Sequence, residues 1–208
     1  MSVRVERVVT SGVFSLDGQD FDVDNNVWLL GNDDEVLVVD AAHDAAVILD
    51  AVAERQVVGV LCTHSHNDHV NAVQGLLSRI DAPVYLHPDD TMLWEVVNAS
   101  VDFTPLTDGE RLPVAGIDVE VIHTPGHSPG GVCLSVPDLG VLFSGDTLFH
   151  GGPGATGRSY SDFPTILDSI RERLLTLPPE TRVLTGHGDE TTIGAEALSY
   201  DEWVVRGH

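Results

Sequence analysis

The chain has 208 residues, 42% of them hydrophobic, which is enough for one well-filled core and short for two, so residues 1–208 are read as a single domain. Its formal net charge is −23 and all its basic residues are arginine, a field that repels polyphosphates and excludes nucleic acid and anionic membrane surfaces as partners. No run approaches the ~20 apolar residues of a membrane-spanning helix. The start, Met1 to Arg7, reads as an amphipathic strand rather than a signal peptide, so a cytoplasmic location is expected.

Beyond that first strand, Val- and Leu-rich runs with strand character fall at Val27–Leu30, Val36–Val39 and Val57–Cys62, with a helical stretch at Ala45–Glu54. The third run leads into Thr63-His64-Ser65-His66-Asn67-Asp68-His69, at the start of a helix read over His69–Ile80. Crowding three imidazoles and a carboxylate there costs several kcal/mol unless a cation offsets it. From a turn leaving a strand, His64 and His66 can serve one ion while Asp68 and His69 face a second.

A strand at Val84–Leu86, a helix at Asp89–Val97 and strands at Val119–His123, Val132–Val136 and Val141–Ser144 come next. Asp108-Gly109 and Ala115-Gly116 punctuate this region in the manner of hairpin turns, so the sheets are expected to be mixed. A helix at Phe163–Leu175, stopped before Pro178-Pro179, and a strand at Arg182–Thr185 complete an α/β pattern. Ligand-type residues stand just after three of these strands, in Gly126-His127, Gly145-Asp146 and Gly186-His187-Gly188, where glycine permits close backbone approach. Cys62 and Cys133 sit inside apolar runs and are expected as packed free thiols. His87, His123, His150 and His208 are expected to be strand-end or surface histidines without a ligand role.

The Thr63–His69 segment, the Gly-His at 126–127, Gly145-Asp146-Thr147 and the Gly-His-Gly at 186–188 together resemble the successive motifs of the metallo-β-lactamase superfamily, over a span from about Val27 to Gly194. The resemblance implies a four-layer αββα sandwich with mixed sheets and a site at one edge between them. Carried over residue by residue, it implies a first metal held by His64, His66 and His127, a second held by Asp68, His69 and His187, and Asp146 bridging the two. Asp40 matches the superfamily's early aspartate, whose implied role is to orient the histidine loop from behind. Ala41-Ala42-His43 follows in place of the usual Pro-Gly, so His43 is read either as a solvated helix-start histidine or as a residue of the pocket mouth.

The activity implied is hydrolysis with two divalent ions and no serine or cysteine nucleophile. The mix of imidazole and carboxylate suits zinc and is compatible with iron or manganese. Asp68 is expected to accept the proton as well as to bind metal. Gly157-Arg158-Ser159 and the run from Thr185 to Gly194 look most like small glyoxalase II-type proteins, which implies a thioesterase for a small-molecule S-acyl thioester. A lactonase and a single-iron persulfide dioxygenase are the alternatives. Arg158 is expected either to hold a substrate carboxylate or to pair with Asp162. Glutathione-specific members carry a helical extension and lysines that this chain lacks, so another thiol carrier is expected. A composition rich in Ala, Val, Gly and Asp, with no lysine, suggests a GC-rich source, for which mycothiol is the candidate.

Overall fold

A computed structural model describes residues 2–16 and 18–207; Met1 and His208, named above, lie outside them. The chain opens with β1 (Arg4–Leu16), β2 (Gln19–Gly31) and β3 (Glu35–Val39), an antiparallel meander. It continues through α1 (Ala45–Val52), β4 (Gln56–Leu61), α2 (Asn67–Val70), α3 (Val73–Leu77), β5 (Val84–Leu86), α4 (Thr91–Asn98) and β6 (Thr104–Pro105). The intervening helices return the chain, so β3, β4, β5 and β6 run parallel and the first sheet has the order β1-β2-β3-β4-β5-β6.

The second sheet begins with β7 (Arg111–Val114), β8 (Ile117–His123), β9 (Val132–Val136) and β10 (Val141–Gly145), followed by a two-stranded ladder of β11 (Leu148–Phe149) and β12 (Gly152–Pro153). Helix α5 (Phe163–Ser169) runs on into a π-helical turn at Ile170–Leu174 and leads to β13 (Arg182–Thr185), β14 (Thr191–Thr192), α6 (Ile193–Ala197) and α7 (Tyr200–Arg206). Its order is β14-β13-β10-β9-β8-β7, parallel between β10 and β13 and antiparallel elsewhere.

Strand periodicity builds the layers. Along β2, Val27 and Leu29 pack under α1 and α3, while Trp28 and Leu30 face the other sheet; along β3, Val36 and Val38 divide from Leu37 and Val39 in the same way. In the second sheet Val132 and Leu134 of β9 and Phe143 of β10 fill the space between the sheets. Cys133 and Leu142 face outward onto Ile166, Ile170 and Trp203. Three cores therefore separate four layers, helices on sheet on sheet on helices, the mixed α/β sandwich the motifs implied. Each such buried side chain contributes roughly 1.5–3 kcal/mol. Cys62 and Cys133 are free, buried and in different outer cores. No helix among the described residues is long and apolar enough to cross a membrane.

The fold departs from the expected elements in three places. The strand read at Val27–Leu30 is the inner end of a hairpin whose register runs from Arg4↔Gly31 to Leu16↔Gln19; its outer half alternates Phe21 and Val23 with aspartates and places neither in a core. The helix read over His69–Ile80 breaks, because the Ala72 N–H donates to the Ala41 carbonyl rather than to its own helix. Asp108-Gly109 is no hairpin: it carries the chain from the first sheet to the second, with the Gly109 N–H donating to Val121.

Candidate metal centre

The seven candidate ligands converge at one edge of the sandwich, where β4, β8, β10 and β13 end. His64 and His66 leave β4, Asp68 and His69 lie on α2, His127 follows β8, Asp146 follows β10 and His187 follows β13. His64, His66 and His127 form one cluster of ligand atoms within 4.8 Å of one another, and Asp68, His69 and His187 form a second. Asp146 stands between the clusters, with Oδ2 3.5 Å from Nε2 of His127 and of His187, and Oδ1 3.4 Å from Nε2 of His69. Glycine makes this approach possible: a Cβ on Gly186 would lie 2.3 Å from Asp146 Oδ1 and 2.7 Å from the His69 ring.

The outward nitrogens of four imidazoles are occupied. His69 Nδ1 lies 3.0 Å from Asp40, His127 Nδ1 donates to the Ala155 carbonyl (2.8 Å), His187 Nδ1 donates to the Asp24 carbonyl (2.8 Å), and His64 Nδ1 lies 3.1 Å from the Thr63 hydroxyl. Such contacts aim the other nitrogen inward. Asp40 also accepts from the Thr63 amide and hydroxyl, both at 2.7 Å, and holds a left-handed backbone with φ of 56° to do so. Asn25, fully buried, donates to Asp68 Oδ2 (3.1 Å) and is braced by His43 Nε2 (2.8 Å).

Inside this frame His64 Nε2 and Asp146 Oδ1 are buried with no hydrogen-bond partner, which is costly unless a cation satisfies them. His66 Nδ1 and His127 Nε2 approach to 2.9 Å, a separation two facing lone pairs tolerate only with a proton or cation between them. Burial, then His127, pushes His66 down to about 3, and burial with His69 pushes His64 well down, so both are neutral and available as ligands at pH 7. In the other cluster burial opposes charge, yet Asp146 and Asp68 raise His187 to about 10 and also hold His69 well up. Burial likewise opposes the Asp68 carboxylate, which His69 and His187 pull down to about 2. The residues therefore fit two cations: neutral imidazoles offer lone pairs in one pocket, and carboxylates gather positive charge in the other.

A cavity of about 170 Å³, partly open to solvent, lies over the cluster. Phe14 and Val23 of the hairpin form one wall, and Ala155, Arg158, Ser159 and Ser161 form the other. Arg158 makes no ion pair with any described residue; Asp162, its alternative partner, instead caps α5 by accepting from the Thr165 N–H (2.8 Å). His43 does not line the cavity, contrary to the pocket-mouth expectation, because its ring is held between Asn25 and Asn71 behind Asp68. His87 and His123 stack outside the centre, ring centroids 4.0 Å apart, and His150 is exposed. Sequence reasoning missed Asn25 and Asp90. Asn25 belongs to the Asn25-Asn26 pair at the end of the polar half of β2, and Asp90 passed as a helix-start acid.

The profile of the metallo-beta-lactamase superfamily matches residues 21–187. A probable metallo-hydrolase, YqgX of Bacillus subtilis, is 36% identical over 188 residues, covering 82% of this chain and 88% of its own length. A hydroxyacylglutathione hydrolase, GloC of Haemophilus influenzae, is 30% identical over 191 residues, covering 84% and 90%. Among solved structures, TTHA1623 in a di-iron-bound form superposes with a TM-score of 0.77 at 36% identity, over 84% of this chain and 93% of that one.

Proposed function

The chain belongs to the metallo-beta-lactamase superfamily and is a metallo-hydrolase, and from that premise we propose that it is a dinuclear thioesterase acting on S-acyl derivatives of a small thiol. His64, His66 and His127 would hold one ion, Asp68, His69 and His187 the other, and Asp146 both. Zinc is the ion this donor set suits first, and the di-iron form of TTHA1623 supports a pair of ions. Two divalent ions supply a water activated at neutral pH and a Lewis acid for the carbonyl oxygen. Asp68, on the cavity floor, takes the proton from the attacking water, and Phe14 over His66 limits access of bulk solvent.

One observation carries the choice of a thioester: among the described residues the cavity lining offers no general acid beyond the candidate ligands themselves. A thiolate leaves without being protonated, whereas an alkoxide or amine leaving group asks for a positioned acid. The hydroxyacylglutathione hydrolase among the relatives supports the same reaction class. The carrier follows from charge. A thiol with two carboxylates calls for several fixed cations, and among the described residues the cavity presents Arg158 alone as a cationic side chain other than histidine, beside the hydroxyls of Ser159 and Ser161. A carrier rich in hydroxyls suits that lining, and mycothiol is the candidate.

The zinc-loaded protein is expected to cleave an acyl or formyl thioester of mycothiol faster than S-lactoyl-glutathione, and to leave acyl-homoserine lactones intact. Faster cleavage of the glutathione ester would remove the carrier assignment and keep the reaction class; cleavage of the lactones alone would overturn both.

A further inference from the structure

Asp90 occupies the N-cap position of α4, where an aspartate ordinarily accepts from the first N–H groups of its own helix. It makes no such bond. Its side chain is instead fully buried and turned away from α4, and all its hydrogen bonds reach two other loops. Oδ2 accepts from the Ser65 amide and the Ser128 hydroxyl, both at 2.9 Å, and Oδ1 accepts from the Gly130 amide at 2.6 Å. Ser65 separates His64 from His66, while Ser128 and Gly130 follow His127. The fit leaves no room for a side chain on Gly130, whose Cβ would stand 2.6 Å from the Asp90 amide nitrogen and 2.9 Å from its Cβ.

We propose that Asp90 is the positioning residue of the first metal pocket, fixing the spacing between the His64–His66 segment and the His127 loop. A buried carboxylate held by neutral donors costs stability, and what this one accomplishes is to tie together two chain segments that share no strand. It complements Asp40, whose bonds go to Thr63 and His69. Asp40 braces the β4 end and the second pocket; Asp90 joins that end to a loop of the other sheet. The role rests on the ligand assignment proposed above.

The test is Asp90→Asn, which keeps the size but turns an N–H₂ toward at least one of the three donors. Zinc affinity is read by competition with a colorimetric chelator in two backgrounds. With the second pocket disabled by His187→Ala, Asp90→Asn is expected to weaken the remaining zinc site by about ten- to a hundredfold. With the first pocket disabled by His66→Ala, the same change is expected to leave affinity within about twofold. Thermal melting of the chelated proteins runs alongside. A lowered melting temperature with unchanged zinc affinity in both backgrounds, or equal losses in both, overturns the proposal. If Asp90→Asn does not fold, Ser128→Ala removes one donor and is expected to show the same one-sided loss at smaller size; no loss there also overturns it. A parent protein that binds no zinc would defeat the metal assignment itself, an outcome distinct from any of these.

Discussion

The two sheets deliver their parts of the centre in opposite ways. The first supplies His64, His66, Asp68 and His69 as one unbroken segment at the end of β4, braced by the buried carboxylates Asp40 and Asp90. The second supplies His127, Asp146 and His187 from three separate strand ends, and orients its histidines with backbone carbonyls, Ala155 for His127 and Asp24 for His187. A contiguous segment places its ligands by local geometry and needs only to be held still. Scattered ligands are placed by the packing of the whole fold. Damage to one group should therefore read differently from damage to the other.

The sharpest contrast lies between Asp146, shared by both clusters, and His66, which serves one. Asp146→Ala and His66→Ala are each expected to cut turnover by more than about a hundredfold, the scale for an essential participant. Elemental analysis should separate them, with Asp146→Ala losing both ions and His66→Ala one. Equal metal content in the two variants would erase the distinction between shared and unshared ligands. Next in size, Asp40→Asn leaves the Thr63 donors imperfectly matched and should lower metal affinity by about ten- to a hundredfold while costing about 1–3 kcal/mol in urea unfolding. An unchanged affinity would mean that the β4 segment holds its geometry without its brace.

Arg158→Ala tests the wall rather than the floor. A charge-assisted contact from Arg158 to the substrate would be worth roughly 1.5–3 kcal/mol, so on the proposed reading KM is expected to rise about tenfold or more with kcat and metal content nearly unchanged. A matching fall in kcat would move Arg158 into the chemistry. His43→Ala, acting on Asp68 through Asn25, should cost less than Arg158→Ala, within about a few-fold in kcat/KM. Smallest of all, Cys62 and Cys133 should ignore a thiol reagent at pH 8 until the chain is unfolded, since burial holds both thiols up, Cys133 at about 11. Rapid labelling of the native protein would show that an outer core opens.

The same contrast explains what could be read from the sequence. The β4 segment announces itself because three histidines and an aspartate in so few residues violate the ordinary economy of charge. His127, Asp146 and His187 are each an unremarkable residue beside a glycine, legible only through their place after apolar strands and the resemblance those motifs carry. Core strands buried on both faces were likewise legible as Val and Leu runs. The outer half of the β1–β2 hairpin went unread although Phe21 and Val23 alternate with Asp20, Asp22 and Asp24, because three acids in so short a run mask two apolar residues that join no core. Asn25 and Asp90 stayed hidden for another reason. Their partners are distant in sequence, and an asparagine or aspartate at a strand end or helix start is ordinary until the donor it faces is known.

The carbonyl that orients His187 belongs to a stitch between the sheets. The Asn26 amide donates to the Gly186 carbonyl at 2.8 Å, and the Trp28 indole N–H donates to the Thr185 carbonyl at 3.0 Å, so β2 of one sheet is bonded directly to the chain leaving β13 of the other. An amide in that stitch exchanges its proton with solvent only when the sheets part. The Asn26 amide is thus a clock for the opening of the sandwich at its functional edge, and its exchange should slow when metal is added, by the factor that the ions' preference for the closed edge dictates.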